Sequence, residues 1–235
     1  MALKDDIASE IDSILAEPWA VRDGTVVPET ESVALAGGAV KLEATMLYAD
    51  LVDSTSLAIY DRRVAARVFK SFLTSCSKVI KLRGGDVRSF DGDRVMGVFV
   101  GDSKNSSAAK AALNINYVFR ELIKPKLEAK YDVFKNGTYK LGHCVGVDTS
   151  EVLVVRGGIR KYNDLVWVGS APNIAAKLSG IRNDPYNSWI TGGVYNSLND
   201  SAKTSSDGKA MWENRINVPA IPGGVGYRSS WQWVP

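Results

Sequence analysis

The apolar residues at the start of the chain recur with a helical period. The repeat consists of Leu3, Ile7, Ile11 and Leu15. This spacing predicts a short helix with one apolar stripe. Residues 17–38 follow with a high content of proline and glycine, which is typical of a connector. We therefore expect an N-terminal helix and connector in residues 1–40 and one larger domain in residues 41–235.

The pattern changes to that of a packed α+β domain after Leu42. Residues 44–49 form a short apolar run, which predicts a buried strand that ends at Asp50. Apolar residues then recur at helical spacing through residues 54–82, and Gly84-Gly85 ends this predicted helix.

The next segment predicts a hairpin and a second helix. Residues 87–90 and 95–100 read as two strands joined by a tight turn at Asp91-Gly92, which places Asp93 at the hairpin tip. A helix capped by Asp102 or Ser103 follows and fades near Pro125. Its apolar stripe consists of Ala108, Ala111, Ala112, Ile115, Phe119 and Leu122.

The remaining elements complete a recognisable order. Further strands are predicted at residues 139–147, 152–156 and 165–168, and a helix begins near Pro172. The order β-α-β-β-α-β predicts a ferredoxin-like α+β fold with helices on one face. Extra C-terminal strands are predicted near residues 189, 211–218 and 227–233, with a short helix at 194–198.

Composition and charge exclude several classes of protein. With 45% hydrophobic and 23% charged residues, the chain can bury a core without disulfides. A net charge of +3, spread evenly, argues against a nucleic-acid-binding surface. Cys76 and Cys144 lie in apolar stretches, which predicts buried free thiols. The sequence lacks a targeting or membrane-spanning segment, so we expect a cytoplasmic protein with no membrane partner.

Two aspartates form the first candidate site. Asp50 closes a buried strand, and Asp93 lies at the tip of a hairpin whose strand neighbours it in the predicted fold. Two adjacent carboxylates repel each other unless a cation lies between them, and Mg²⁺ or Mn²⁺ suits such oxygen ligands. The turn at residues 51–56 could hold a triphosphate through its backbone N–H groups and the Thr55 and Ser56 hydroxyls. Taken singly, each aspartate could instead be a helix cap or a turn residue.

Three sequence blocks resemble the motifs of class III nucleotidyl cyclases. They are residues 48–55 (YADLVDST), 90–99 (FDGDRVMGVF) and 166–178 (VWVGSAPNIAAKL). Together they span residues 42–180 in the family's order and spacing. The resemblance implies a homodimeric enzyme that converts a nucleoside triphosphate into a 3′,5′-cyclic monophosphate and pyrophosphate, with two divalent metal ions, Mn²⁺ or Mg²⁺, in each site.

The resemblance also implies residue roles. Asp50, Asp93 and the Leu51 carbonyl would bind the metals, as in the two-metal arrangement for attack on the α-phosphorus. Asn173 would orient the ribose. Lys177 stands where the family usually has arginine, and it would stabilise charge on the α-phosphate as a point charge without a bidentate fork. The family places this pair across a dimer interface from the metal ligands, so two composite sites follow.

The substrate base is the least determined feature. Purine cyclases carry a lysine or glutamate, and a threonine, aspartate or cysteine, where this chain has Ser89 and Val166. The single-domain layout and residues 227–233 (YRSSWQW) resemble the pyrimidine cyclases of Pycsar antiphage systems. We therefore expect UTP as substrate and cyclic UMP as product, with Tyr48 and Arg94 contacting the base or triphosphate, and a separate effector protein that senses the product. ATP and CTP remain alternatives.

The sequence allows two other interpretations of its function. Residues 83–86 (RGGD) resemble the diguanylate cyclase motif, but Val87-Arg88 enters a strand where that family needs acidic residues, so a glycine helix stop suffices. A degenerate cyclase domain that binds nucleotide without turnover is the non-enzymatic alternative. His143, the single histidine, is expected to be structural and not a catalytic base.

Overall fold

A mixed sheet of nine strands runs through the molecule. The structure, a computed structural model, describes residues 2–235. Its strands are β1 (Ala20–Asp23), β2 (Gly38–Leu51), β3 (Asp86–Asp91), β4 (Arg94–Phe99), β5 (His143–Ile159), β6 (Tyr162–Val168), β7 (Ser188–Thr191), β8 (Glu213–Arg215) and β9 (Gly226–Ser229). Its helices are α1 (Leu3–Ala16), α2 (Ser54–Tyr60), α3 (Arg62–Leu82), α4 (Lys104–Tyr117), α5 (Lys124–Lys130), α6 (Asp132–Lys135), α7 (Ser170–Ser179), α8 (Gly192–Asn196) and α9 (Asp200–Lys203). A 3-10 turn at Thr30–Ser32 and a π-helical segment at Val118–Ile123 complete the elements.

The strand order confirms the predicted ferredoxin-like arrangement. The strands run β3-β4-β2-β5-β7-β9-β8 across the sheet, while β1 pairs with β2 and β6 pairs with β5. The unit β2-α3-β3-β4-α4-β5 thus places its first and last strands side by side at the centre, with β3 at one edge. The strands β7, β9 and β8 extend the sheet on the other side of β5, as the predicted C-terminal strands require.

Alternate residues of β2 face two different layers. Leu47, Ala49 and Leu51 belong to the large core beneath α3 and α4, whereas Ala44 and Met46 belong to a smaller core beneath α7. This alternation follows from the two-residue period of a strand. The helices of the β-α-β-β-α-β unit, α3 and α4, lie on one face as predicted, and α7, which follows that unit, covers the opposite face because β2 and β5 are apolar on both sides.

Two predicted helix limits were wrong. The helix expected over residues 54–82 is divided at Asp61, whose backbone is extended (φ −154°, ψ 107°) and whose carboxylate accepts the N–H groups of Arg63 and Val64. Apolar periodicity continues through such a cap and cannot reveal it. The helix expected to fade near Pro125 instead continues through the π-helical segment into α5, where proline occupies the first turn.

Three predicted strands differ in extent. Residues 139–147 and 152–156 were expected to be separate strands, but the polar residues between them pair with β2 without interruption, from Asp148 opposite Met46 to Glu151 opposite Glu43. The last predicted strand, residues 227–233, ends at Ser229. Beyond it the chain docks on α4, where the Asn114 side-chain amide donates to the Trp233 carbonyl at 2.8 Å.

Helix α7 lies unusually close to strand β5. A Cβ atom added to Gly146 would come within 2.5 Å of Leu178 Cβ and the Ser179 nitrogen. Only glycine therefore permits this approach. The contact fixes the C-terminal end of α7 over the sheet, and with it the loop that follows.

The N-terminal helix α1 forms as predicted, and its apolar stripe is exposed to solvent, with Leu3 73% and Leu15 79% accessible. The connector contributes β1 to the sheet and buries Val33 in the core beneath α7. Among residues 2–235, no helix combines the length and apolar character that crossing a bilayer requires. Cys76 and Cys144 are buried free thiols, which confirms that prediction.

Candidate active site

Asp50 and Asp93 converge at the end of β2. The Leu51 backbone N–H donates to Asp93 Oδ2 at 3.1 Å, and the Ser54 hydroxyl donates to Asp93 Oδ1 at 2.8 Å. Gly92 makes this possible, because with φ +60° it turns the β3–β4 hairpin through a loop consisting of Gly92 and Asp93. Asp93 lies at the hairpin tip as predicted, one position later in the turn than the Asp91-Gly92 pair suggested.

Asp50 is a buried aspartate. It is 7% exposed, and this burial raises the pKa of its carboxyl group above the ordinary value. The Arg94 guanidinium opposes that rise in pKa, and the neighbouring Asp93 carboxylate adds to it. A buried carboxylate beside a second carboxylate is an environment that favours a cation.

Two arginines supply positive charge to Asp50. The Nη2 atoms of Arg94 and Arg182 each lie 3.3 Å from Asp50 Oδ2. Arg182 Nη2 also donates to the Leu51 carbonyl oxygen at 3.2 Å, and its Nη1 donates to the Ser179 carbonyl at 2.9 Å. Arg94 was among the predicted residues, whereas Arg182 was not.

Tyr48 lies on the same face of the sheet as Asp50. Its hydroxyl contacts Met96 Sδ at 2.8 Å, and burial raises the pKa of the phenol. Met96 is paired with Tyr48 on β2 and with Ser89 on β3. The three side chains therefore form a row across neighbouring strands, which brings a predicted substrate contact close to one of the two predicted base-reading positions.

The first backbone N–H groups of the turn after β2 have other partners than the predicted triphosphate. The Leu51 N–H is bonded to Asp93, and the Val52 N–H donates to the Gly142 carbonyl at 2.9 Å, so neither of these N–H groups is free to hold a phosphate. Thr55 and Ser56 are exposed in the first turn of α2. Ser54, which was not predicted, is the hydroxyl that orients Asp93.

Asn173 and Lys177 are on the exposed side of α7. The Asn173 amide makes one long bond, 3.4 Å, to the Gly169 carbonyl. Within residues 2–235, no hydrogen bond or ion pair joins either side chain to the Asp50–Asp93 pair. A single chain therefore assembles the predicted metal ligands and presents the predicted ribose and phosphate contacts outwards.

A cavity of about 510 Å³ lies beside Arg182, whose guanidinium also contacts Asp50. Val52 of the turn after β2 forms another part of its wall. Its charged lining residues are four cations and two carboxylates, namely Arg120, Lys124, Lys140, Arg182, Asp53 and Asp184. The excess of cationic side chains makes this cavity suitable for an anionic ligand. A larger groove, about 640 Å³, lies between α3 and α5 and includes none of the predicted site residues.

The oxygen atoms at this position fit a divalent cation. Across the described part of the chain, no group of three or more His, Cys, Asp or Glu side chains could hold a metal. The candidate ligands are instead two carboxylates and the Leu51 carbonyl. Mg²⁺ is typically bound by one or two carboxylates together with substrate phosphates, so this smaller set is sufficient when a nucleotide is present.

His143 is structural in position. It is 1% exposed, and its ring lies against Phe119 with 4.3 Å between centroids. Burial lowers the pKa of the imidazole to about 3, so it is neutral at physiological pH. Neither ring nitrogen has a hydrogen-bond partner among the described residues. This environment makes it a poor base for a ribose hydroxyl.

Arg182 and Ser54 were not predicted from the sequence, and contacts between distant segments bring them to the site. Arg182 follows α7 in a segment without apolar periodicity, and only the docking of α7 on Gly146 brings it to Asp50. Ser54 was visible as a polar residue beside the first aspartate. Its role depends on the approach of the β3–β4 hairpin, which joins it from a distant part of the chain.

Curated relatives match nearly the whole chain. A uridylate cyclase from Rhodovulum sp. (strain MB263) is 48% identical over 92% of this chain and 90% of its own length. A uridylate cyclase from Xanthomonas perforans is 40% identical over 99% of both chains. No protein-family model matches the sequence.

Solved structures with the same fold are more distant in sequence. A bacterial light-regulated adenylyl cyclase aligns with a TM-score of 0.64 at 22% identity, covering 85% of this chain and 55% of its own. A guanylyl cyclase aligns with a TM-score of 0.63 at 18% identity, covering 83% of this chain and 95% of its own. At these identities the likeness supports the fold and not the substrate.

Proposed function

This chain belongs to the uridylate cyclase family and is a nucleotidyl cyclase with the class III fold, and from that premise we propose that it converts UTP into 3′,5′-cyclic UMP and pyrophosphate. The observation that carries the proposal is the meeting of Asp50, the Leu51 carbonyl and Asp93 at the end of β2, where Arg182 connects them to a cavity with an excess of basic residues. The relatives named uridylate cyclase at 48% and 40% identity support the choice of base.

The proposed site uses two divalent ions, Mn²⁺ or Mg²⁺, held by Asp50, Asp93 and the Leu51 carbonyl. When bound, they would lower the pKa of the ribose 3′-hydroxyl and offset the charge of the phosphates. The hydrogen bonds from Leu51 N–H and Ser54 fix the Asp93 carboxylate before any ligand arrives. Such preorganisation reduces the cost of assembling the site around the nucleotide.

In the proposed reaction the 3′-oxygen forms a bond to the α-phosphorus while the bond from that phosphorus to the bridging oxygen of pyrophosphate breaks. The hydroxyl proton passes to water, because His143 is buried and its pKa of about 3 makes it a weak base. Lys177 offsets the charge that develops on the α-phosphate, and Asn173 orients the ribose.

We propose that Asn173 and Lys177 reach the metal ligands of a second protomer. Their exposure on α7, and the absence in residues 2–235 of any bond from them to Asp50 or Asp93, support a homodimer with two composite sites. The basic cavity would hold the triphosphate, with Thr55 and Ser56 at the nearby turn.

Tyr48 and Arg94 are the proposed contacts to the base or the triphosphate. Tyr48 lies in the row with Met96 and Ser89, and none of these three carries the charged group that reads a purine edge in purine cyclases. A site without partners for a purine's polar edge loses selectivity for it.

We propose that cyclic UMP serves as a second messenger in bacterial antiphage defence and is sensed by a separate effector protein. The support is the resemblance to Pycsar cyclases. A cytoplasmic location is part of the proposal and is supported by the two buried free thiols.

Incubation of the purified protein with Mn²⁺ and each of the four NTPs, followed by mass spectrometry of the products, tests this function. We expect cyclic UMP as the main product. Cyclic AMP or cyclic CMP as the main product would overturn the choice of base while keeping the cyclase assignment.

Ser89→Lys tests the base argument separately. The new ammonium group would enter the row beside Met96 and Tyr48, so we expect the ratio of UTP to ATP turnover to fall by about tenfold. Phe90→Lys adds the same single charge at an exposed position of the same strand, outside this row and beside α3, and serves as the control. An unchanged ratio in Ser89→Lys would remove the support for this reading of the base site.

A further inference from the structure

Arg182 occupies oxygen atoms that the proposed metal site also needs. Its Nη2 atom lies 3.3 Å from Asp50 Oδ2 and 3.2 Å from the Leu51 carbonyl oxygen. These are two of the three groups to which metal binding is attributed above. A single guanidinium nitrogen thus bridges a side chain and a main-chain carbonyl at the end of β2.

A guanidinium and a divalent cation compete for these oxygens. Both are cations that bind through oxygen lone pairs, and their like charges repel each other at such close range. Arg94 differs in this respect, because it contacts Asp50 Oδ2 and has no bond to the Leu51 carbonyl. Arg182 is therefore the arginine whose position coincides with that of a bound ion.

Arg182 is partly exposed to solvent. Its side chain is 37% exposed, and its other contacts are hydrogen bonds from Nη1 to the Ser179 and Ile181 carbonyls. The same side chain lines the cavity of about 510 Å³ that contains Lys124 and Lys140. A guanidinium displaced from Asp50 would remain beside the space in which a triphosphate is proposed to bind.

Resting on the proposed function, we propose that Arg182 has two positions. Without metal, it bridges Asp50 and the Leu51 carbonyl and compensates the buried carboxylate. With metal and nucleotide, it is displaced into the adjacent cavity and donates to phosphate oxygens through its planar fork. Arg182 therefore opposes the binding of metal alone and favours the binding of metal together with nucleotide.

The first measurement is Mn²⁺ binding to the purified protein without nucleotide, followed by the electron paramagnetic resonance of free Mn²⁺. Arg182→Ala removes the competing cation, so we expect Mn²⁺ to bind about tenfold more tightly than to the wild type. Lys124→Ala is the matched control, because it removes one positive charge from the same cavity without touching a metal ligand. We expect the Mn²⁺ affinity of Lys124→Ala to differ much less from that of the wild type.

The second measurement is binding of α,β-methylene UTP, which cannot release pyrophosphate, at saturating Mn²⁺. Here Arg182→Ala removes a phosphate contact, and we expect binding about tenfold weaker. The two changes have opposite signs. Loss of a merely structural arginine would weaken both kinds of binding, and that result, or an unchanged Mn²⁺ affinity, would overturn the proposal.

Asp50→Ala separates this proposal from the one on which it rests. If Mn²⁺ binds the wild type and Asp50→Ala abolishes that binding, the metal site stands and the Arg182 measurements decide the rest. If Mn²⁺ binds the wild type and Asp50→Ala equally, the metal assignment itself fails. Thermal unfolding of each variant checks that the fold is kept.

Discussion

The end of β2 and the exposed side of α7 both carry predicted catalytic residues, but one chain completes only the first. Asp50 is 7% exposed and contacts two arginines, and Asp93 is fixed by Leu51 N–H and Ser54. Asn173 and Lys177 are exposed, and the Asn173 amide makes a single long bond.

This difference separates two kinds of functional residue. Buried carboxylates must be compensated inside the fold, since an unpaired buried charge is costly. Exposed polar groups carry no such cost, so they need no partner within the same chain. Residues proposed to complete a site on another protomer can thus lie exposed, without the contacts of a formed site, in the chain that supplies them.

The largest expected effect is at the end of β2. Asp50→Ala or Asp93→Ala should reduce kcat by about a thousandfold or more, because several kcal/mol of charge stabilisation would depend on the ions that these aspartates are proposed to hold. Cyclic UMP formation and Mn²⁺ binding are the measurements. Asp91→Ala, which removes an exposed carboxylate of the same hairpin, is the control. Retained activity in either aspartate variant would refute the metal assignment.

A smaller loss is expected on α7. Lys177→Ala should reduce kcat by roughly a hundredfold to a thousandfold, the effect of removing one group that stabilises charge in the transition state. Mn²⁺ binding should be unchanged, since the metal ligands are on the other region. Lys126→Ala, which removes an exposed cation of α5, is the control. A loss of Mn²⁺ binding in Lys177→Ala would contradict the division into two regions.

Mixing the two defective proteins tests the composite site directly. After exchange of protomers, Asp50→Ala and Lys177→Ala should form heterodimers with one intact site, which recovers about a quarter of wild-type activity at equal amounts. Neither variant alone should show this recovery. If the mixture stays as inactive as its components although heterodimers form, both regions act within one chain.

The smallest effect on catalysis is expected at His143, which packs between the sheet and Phe119. His143→Leu should keep most of the activity and change the pH dependence of stability. The folded-state pKa of about 3 lies below the ordinary 6.5, so the unfolded chain binds the proton more readily in that interval. Wild-type unfolding free energy should fall as pH falls below 6.5, by up to about 1.4 kcal/mol per unit.

Urea unfolding between pH 7 and pH 4 measures this change. The variant should lack the part of the acid sensitivity that His143 contributes. An activity loss comparable to that of Lys177→Ala, with unchanged acid stability, would show that the histidine belongs to the active site after all.

The β-α-β-β-α-β order, the central strand that ends at Asp50 and the hairpin that carries Asp93 could all be predicted from the amino-acid sequence. These features are local, because the apolar period and the turn glycines that indicate them lie within short segments. The sequence also predicted both members of the α7 pair by resemblance, and it indicated that the single histidine would be structural.

Three features became visible only in the folded chain: the contacts of Arg182 and Ser54, the position of α7 on the second face of the sheet, and the continuity of β5. Each depends on contacts between segments far apart in sequence, such as Leu178 over Gly146 or Leu51 N–H with Asp93. The periodicity of a segment indicates which side of its helix or strand is apolar, but it does not indicate which other element packs against that side. Partner and position are fixed by the three-dimensional packing of the whole chain, which no local pattern contains.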